Sequence, residues 1–140
     1  MREFGKLLGW IGFWAYIILL LNFFVKYVNK RYINKLPKDK KKYADMYRFI
    51  MRYIVKYHRI IGIIAPVSII GHFYFMYSYI GLSVPGLIAT IIMFVTVLLG
   101  IYGVINKNIR GSWLKVHRFL AFILIFLVIF HVMFKRFLIL

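Results

Sequence analysis

The sequence of 140 residues contains no cysteine. This absence excludes disulfide bonds, iron–sulfur clusters, covalent c-type haem attachment and thiolate metal sites. Acidic residues are almost as scarce, because only Glu3, Asp39 and Asp45 occur. Three scattered carboxylates leave little material for a calcium or magnesium site. Imidazole is therefore the one metal-binding side chain in supply, from four histidines.

Nucleotide-binding signatures are missing as well. The sequence has neither a Gly-rich phosphate loop nor a dinucleotide fingerprint, which are the usual marks of nucleotide cofactor domains. We therefore expect no flavin or nicotinamide site in this chain. A reaction that needed either cofactor would take it from another protein.

Apolar residues dominate what is present. They make up 64% of the chain, and the mean hydropathy is +0.83, whereas soluble domains are about 45–50% apolar. We expect an integral membrane protein in contact with lipid. The net charge of +17 does not indicate nucleic-acid binding, because the basic residues lie between apolar runs and not along one soluble face.

Four apolar runs predict an all-α fold, a membrane-spanning four-helix bundle. The predicted spans are residues 7–28, 57–79, 84–105 and 113–134, within a single domain of residues 1–140. Only Ile80-Gly81-Leu82-Ser83 joins the second span to the third, and Pro85 is typical of a helix start. The second and third helices should therefore be antiparallel neighbours.

A basic segment, residues 29–56, separates the first two spans. Ten Lys and Arg residues occur in it against Asp39 and Asp45. Apolar residues recur every three or four positions from Tyr43 to Tyr57, which predicts an amphipathic helix that lies in the headgroup region or extends the second span. We interpret the segment as a basic loop near anionic lipid, with a docking surface for an acidic protein as the alternative.

The positive charges predict the orientation. Twelve Lys and Arg residues lie between Lys26 and Arg59 and four between Lys107 and Arg118, so 16 of the 20 fall on one side of the predicted membrane. The positive-inside rule places that side in the cytoplasm and both termini outside, in a multi-pass protein of the plasma membrane. Since the spans alternate in direction, the second and fourth run parallel.

All four histidines lie in the second and fourth spans, in two pairs of equal spacing. His58 and His72 are 14 positions apart, and so are His117 and His131. Fourteen helical residues fall about 40° short of four turns and rise about 21 Å, so both histidines of a pair face the same way. His58 should match His117 in depth on the cytoplasmic side, and His72 should match His131 on the outer side.

Two facing histidines suit haem better than zinc. Zinc takes four ligands, whereas haem iron receives four nitrogens from the porphyrin and needs only two axial ligands. We predict two b-type haems, the inner iron held by His58 and His117 and the outer iron by His72 and His131. The alternative is a haem-free structural or transport bundle whose histidines bind protons.

Two arginines directly follow the cytoplasmic histidines. Arg59 and Arg118 stand where a guanidinium could pair with a haem propionate. The general bias of positive charge toward the cytoplasm is the other explanation for them. They are candidate cofactor-binding residues, and no residue is predicted to be catalytic.

Glycines recur with the histidine spacing. Gly86 and Gly100 of the third span are also 14 positions apart, and the first span contains Gly5-x-x-x-Gly9. Glycine lets a flat macrocycle approach the backbone, but it serves ordinary close helix packing equally well. Both interpretations stay open at this point.

The histidine segments resemble the ferric reductase-like transmembrane domain family over about residues 50–135. The matching residues are His58-Arg59-x-x-Gly62 with His72, and Ser112-Trp113-x-x-x-His117-Arg118 with His131. The resemblance implies two haems between parallel helices and electron flow from a cytoplasmic donor to an acceptor outside. The family usually has six helices, and its reductases and oxidases add a cytoplasmic flavin domain, whereas this chain has four predicted spans and no flavin domain.

The amino-terminal half of respiratory cytochrome b is similar too, with haems between its second and fourth helices and a glycine pair on the third. Its orientation would be inverted. This second resemblance implies a quinol-linked membrane anchor of a redox complex as the alternative function. The donor would be a separate cytoplasmic protein, such as a flavoprotein, or a quinol. Whether the chain is an electron-transfer protein or the haem subunit of an oxidoreductase, and whether it forms a homo-oligomer, stays open.

Overall fold

The computed structural model describes residues 1–106 and 111–134, and all regular structure in this part of the chain is helical. The four long helices are α1 Arg2–Arg31, α2 Lys41–Ile80, α3 Val84–Ile105 and α4 Ser112–Met133. Two short 3₁₀ turns, Ile33–Lys35 and Lys38–Lys40, connect α1 to α2. The predicted all-α architecture with four apolar helices is confirmed. The basic residues of segments 107–110 and 135–136, which contribute to the predicted orientation, lie outside the described residues.

The outward-facing side chains of these helices are apolar. Ile63 is 67% exposed, Leu98 63% and Phe126 71%. All four helices are long and apolar enough to cross a membrane. The exposed apolar area is far larger than the apolar patches that soluble monomers present to water. The chain is therefore a multi-pass membrane protein whose outer faces meet lipid.

Helix α2 is much longer than the helices that follow it. Its 40 residues extend over about 60 Å, against about 33 Å for the 22 residues of α3 or α4. Since α3 begins shortly after α2 ends, the extra length lies at the amino end of α2. The amphipathic segment thus extends the second span and does not lie separately along the headgroups. The helix passes through the buried Pro66 without a break.

Helices α1 and α2 form a closely packed antiparallel hairpin. A Cβ atom on Gly5 would lie only 2.9 Å from the Cβ of Phe75. One on Gly12 would lie 2.5 Å from the Ile69 side chain. Because the two backbones approach where α1 has no side chain, glycine sets the distance between the helices.

The α1–α2 hairpin meets the α3–α4 hairpin at fewer points than the helices within each hairpin meet one another. The Tyr16 hydroxyl donates a hydrogen bond to the backbone oxygen of Ala121. Phe23 and Phe122 make an edge-to-face contact with 5.2 Å between ring centroids. These contacts join α1 to α4. Helices α2 and α4 approach each other closely at few points.

The buried core lies at the mid-depth of the bundle. Tyr16, Ala89, Met93 and Leu124 form one buried cluster with residues from α1, α3 and α4. Leu124 stands midway in sequence between the two histidines of α4. The core therefore separates the two histidine levels.

We expect Gly5→Ala to weaken the α1–α2 hairpin. The added methyl group has no room beside the fixed Cβ of Phe75, and overpacking of this kind costs about 1–3 kcal/mol. Gly62→Ala is the matched control, because its nearest neighbour would be a Leu19 methyl group at 3.9 Å. Thermal unfolding in detergent should show a lower midpoint for Gly5→Ala alone. Equal midpoints for the two variants would contradict the close packing at Gly5.

Candidate haem-binding histidine pairs

The bundle brings His72 of α2 opposite His131 of α4. Their ring centroids are 6.4 Å apart and their planes differ by 83°. Two metal–nitrogen bonds of about 2 Å, together with about 1.1 Å from each nitrogen to its ring centre, give about 6.2 Å for two imidazoles on one metal ion. The centroid separation is therefore compatible with a single metal atom between the rings, and equally with a direct edge-to-face contact.

The Nδ1 atoms at this level have acceptors on neighbouring helix ends. His72 Nδ1 lies 2.8 Å from the backbone oxygen of Gly5, and His131 Nδ1 lies 3.2 Å from Ser83 Oγ. A carbonyl oxygen can only accept, so His72 Nδ1 carries the proton and Nε2 is the nitrogen available to a metal. Metal-binding histidines are commonly held by such a bond on the other ring nitrogen. Ser83 also caps α3, since its Oγ accepts from Gly86 N.

The second level pairs His58 of α2 with His117 of α4. These two side chains lie close enough to interact electrostatically. His117 Nδ1 donates to the backbone oxygen of Thr96 at 2.9 Å, which again leaves Nε2 as the ligand nitrogen. His58 Nδ1 is buried without a hydrogen-bond partner. The structure thus brings His58 and His117 within electrostatic range of each other, and their role as a ligand pair stays a prediction.

Glycines make room for two of the four imidazole rings, and a third glycine faces another ring at ordinary contact distance. A Cβ on Gly9 would lie 2.7 Å from His72 Nδ1, and one on Gly86 would lie 2.9 Å from His131 Cε1. At Gly100 the nearest atom would be His117 Cε1 at 3.5 Å. The equal spacing of Gly86 and Gly100 therefore reflects the spacing of the α4 histidines that they face.

The two candidate propionate-binding arginines differ in surroundings. The Arg118 guanidinium lies over the ring of Phe23 in α1, with its Cζ 5.6 Å from the ring centroid. Lys26 of α1 interacts electrostatically with both Arg118 and His58. Arg59 is exposed. Arg118 and Lys26 thus place positive charge beside the His58–His117 level.

The donor set at each level is two imidazoles. Among residues 1–106 and 111–134, no group of three or more His, Cys, Asp or Glu side chains could hold a metal ion. Two of the three acidic residues form ion pairs elsewhere, Glu3 with Lys6 and Asp45 with Arg48. A zinc ion would therefore lack ligands, whereas the two axial positions of a haem iron would be satisfied.

The fold and this site define a four-helix membrane protein with two levels of facing histidines. No family model, curated protein or solved structure matches the chain. The evidence for function therefore lies in its own residues.

Sequence patterns identified the histidines but not the groups that hold them. Gly5, Gly9, Ser83 and Thr96 act through contacts between helices, and two of the contacts use backbone oxygens that any residue would provide. Of these residues, only Ser83 was indicated by the local sequence, because a serine directly before Val-Pro is typical of a helix N-cap.

We expect Gly86→Ala to displace the His131 ring, because the new methyl group would meet it at 2.9 Å. Gly100→Ala is the matched control on the same helix, where the His117 ring stands 3.5 Å away. Side-chain NMR of ¹⁵N-histidine protein in detergent should show a large shift for His131 in the first variant and little change for His117 in the second. Unchanged His131 signals in Gly86→Ala would contradict the arrangement.

Proposed function

We propose that this protein is a di-haem b-type membrane cytochrome that carries single electrons across the bilayer, from a cytoplasmic donor to an extracytoplasmic acceptor. His58 and His117 would hold the inner haem iron, and His72 and His131 the outer one. Arg118, and with less structural support Arg59, would bind propionates of the inner haem. The protein would act as an electron-transfer protein or as the haem subunit of an oxidoreductase.

The observation that carries this proposal is the geometry of His72 and His131. Their 6.4 Å centroid separation is compatible with one metal atom shared by the two rings. The Nδ1 bond of His72 turns its Nε2 toward ligand binding. Gly9 and Gly86 leave room for the two rings at this level, which supports a built site there.

The residues of the chain would prepare and insulate the two sites. When bound, each haem supplies reversible one-electron chemistry at its iron. The histidines would fill both axial positions, so the protein leaves no open iron position for oxygen activation. The Nδ1 hydrogen bonds fix ring orientation and ligand basicity. The core layer around Tyr16, Met93 and Leu124 keeps water out between the levels.

The long α1–α2 hairpin supports a donor surface on the cytoplasmic side. The first part of α2 extends past the end of α3 and exposes Tyr43, Met46, Phe49 and Tyr53. Basic residues of the same segment surround this apolar strip. An acidic soluble donor would match both its charge and its exposed aromatic area. Its location beyond the His58–His117 end suits electron entry at the inner haem.

A quinol-linked role remains the alternative, and two of the polar residues that could line a quinone pocket, Ser78 and Ser83, have partners within the protein. Ser78 donates to the Tyr74 backbone oxygen of its own helix. Ser83 caps α3 and lies beside His131.

We expect purified protein from haem-replete cells to contain two haems per chain with six-coordinate b-type spectra. His72→Ala should retain one haem, because it removes one axial ligand of the outer site only. Tyr74→Ala is the matched control, since this side chain of the same helix is 67% exposed. Oxidised and dithionite-reduced spectra with haem quantification make the measurement. Wild-type protein without haem would overturn the proposal.

We expect the amino terminus to lie outside and the α1–α2 connection to lie in the cytoplasm. Because the chain has no native cysteine, single cysteines report their own side without background. A membrane-impermeant maleimide should label Arg2→Cys in intact cells and label Lys38→Cys only after lysis. The reverse pattern would contradict this orientation and would favour the cytochrome b arrangement.

A further inference from the structure

Two buried polar atoms on neighbouring helices have no hydrogen-bond partner. One is His58 Nδ1 of α2, and another is Asn22 Oδ1 of α1. A buried polar group without a partner costs about 1–3 kcal/mol, so such atoms are normally paired. In the neutral imidazole that ligates through Nε2, Nδ1 is a donor, whereas the amide oxygen is an acceptor. The two unpaired groups are chemically complementary.

The register of the hairpin places Asn22 and His58 at the same level. Gly12 of α1 faces Ile69 of α2. Seven positions further along α1, Leu19 faces Gly62 of α2. Asn22 follows Leu19 by three positions, and His58 precedes Gly62 by four. Residues three or four apart share a helix face, so the next turn of this antiparallel contact places Asn22 and His58 at neighbouring positions on the facing sides of α1 and α2.

The other three histidines show what is missing at His58. Each of them has an Nδ1 partner, two of which are backbone oxygens and one the hydroxyl of Ser83. We propose that Asn22 is the positioning residue for His58, with its Oδ1 accepting the hydrogen bond from His58 Nδ1–H. This inference rests on the proposed haem function, and it names the group that holds the fourth axial ligand.

The bond would act on the inner haem through its ligand. A hydrogen bond from Nδ1–H makes the imidazole a stronger donor to the metal. Stronger donation favours ferric over ferrous iron and lowers the midpoint potential. Asn22 would thus tune the inner site, as Ser83 would tune the outer one.

Substitution of Asn22 tests this role by its effect on potential. Asn22→Leu keeps the side-chain size but removes the acceptor, so the ferrous-to-ferric ratio of the inner haem at a fixed potential should rise about tenfold, equivalent to about 59 mV for one electron. Asn22→Asp keeps an acceptor and strengthens it, so the inner potential should fall. Optical redox titration of detergent-purified protein measures both haems, and the His72→Ala variant identifies the inner component.

The chain supplies two matched controls. Asn29 is a second buried asparagine of α1 with an unpaired Oδ1, but by the same register it faces Arg52 and not a histidine. Asn29→Leu should leave both potentials unchanged. Ser83→Ala should raise the outer potential alone, because Ser83 lies beside His131.

The outcomes separate this inference from the proposed function. Wild-type protein that binds no haem overturns both. Two haems with an inner potential unchanged by both Asn22→Leu and Asn22→Asp overturn only the role of Asn22. If Asn22→Leu does not accumulate, a lowered inner potential in Asn22→Asp supports the inference and an unchanged or raised one contradicts it.

Discussion

The architecture depends on placing imidazoles inside an apolar bundle and providing an acceptor for Nδ1. In lipid no water can pair with a buried ring nitrogen, so the partner must come from the protein. Here a loop-end serine, a backbone oxygen near the start of α1 and another within α3 take that role. Each partner lies on a different helix from the histidine that it holds, so orienting the rings also ties the helices together.

Glycines on neighbouring helices provide the space for two of the imidazole rings. The imidazoles fill space that α1 and α3 leave open at Gly9 and Gly86. A glycine near a ligand thus has two consequences, since it lets the helices approach and fixes where the ring can stand. This explains why glycine and histidine share one spacing, and why the large core side chains lie between the levels.

Much of this arrangement could be predicted from the sequence, but not its contacts. Four apolar runs gave the four helices, and the 14-residue periodicity indicated which histidines share a level. The continuous length of α2 was one of two readings, because a basic amphipathic segment suits either a headgroup helix or an extension. The close packing at Gly5 was one of two interpretations of the Gly5-x-x-x-Gly9 spacing, whereas the hydrogen bonds that His72 and His117 make to the backbone oxygens of Gly5 and Thr96 could not be predicted, because any residue provides such an oxygen. Arg59 and Arg118 looked equivalent in sequence, and only the packing of α1 against α4 separates them.

The two hairpins contact each other less than the helices within each hairpin do, and this difference bears on the proposed function. Each hairpin is closely packed within itself, whereas the two meet mainly through the core layer and a few aromatic contacts. A bundle whose only purpose was stability would interlock all four helices evenly. Sparse contact between α2 and α4 leaves the facing histidines as the main groups there, and a flat cofactor bound by both helices would join the hairpins at two depths. If the proposed haems bind, they would complete the fold, because the cofactor would supply contacts between hairpins that the side chains do not.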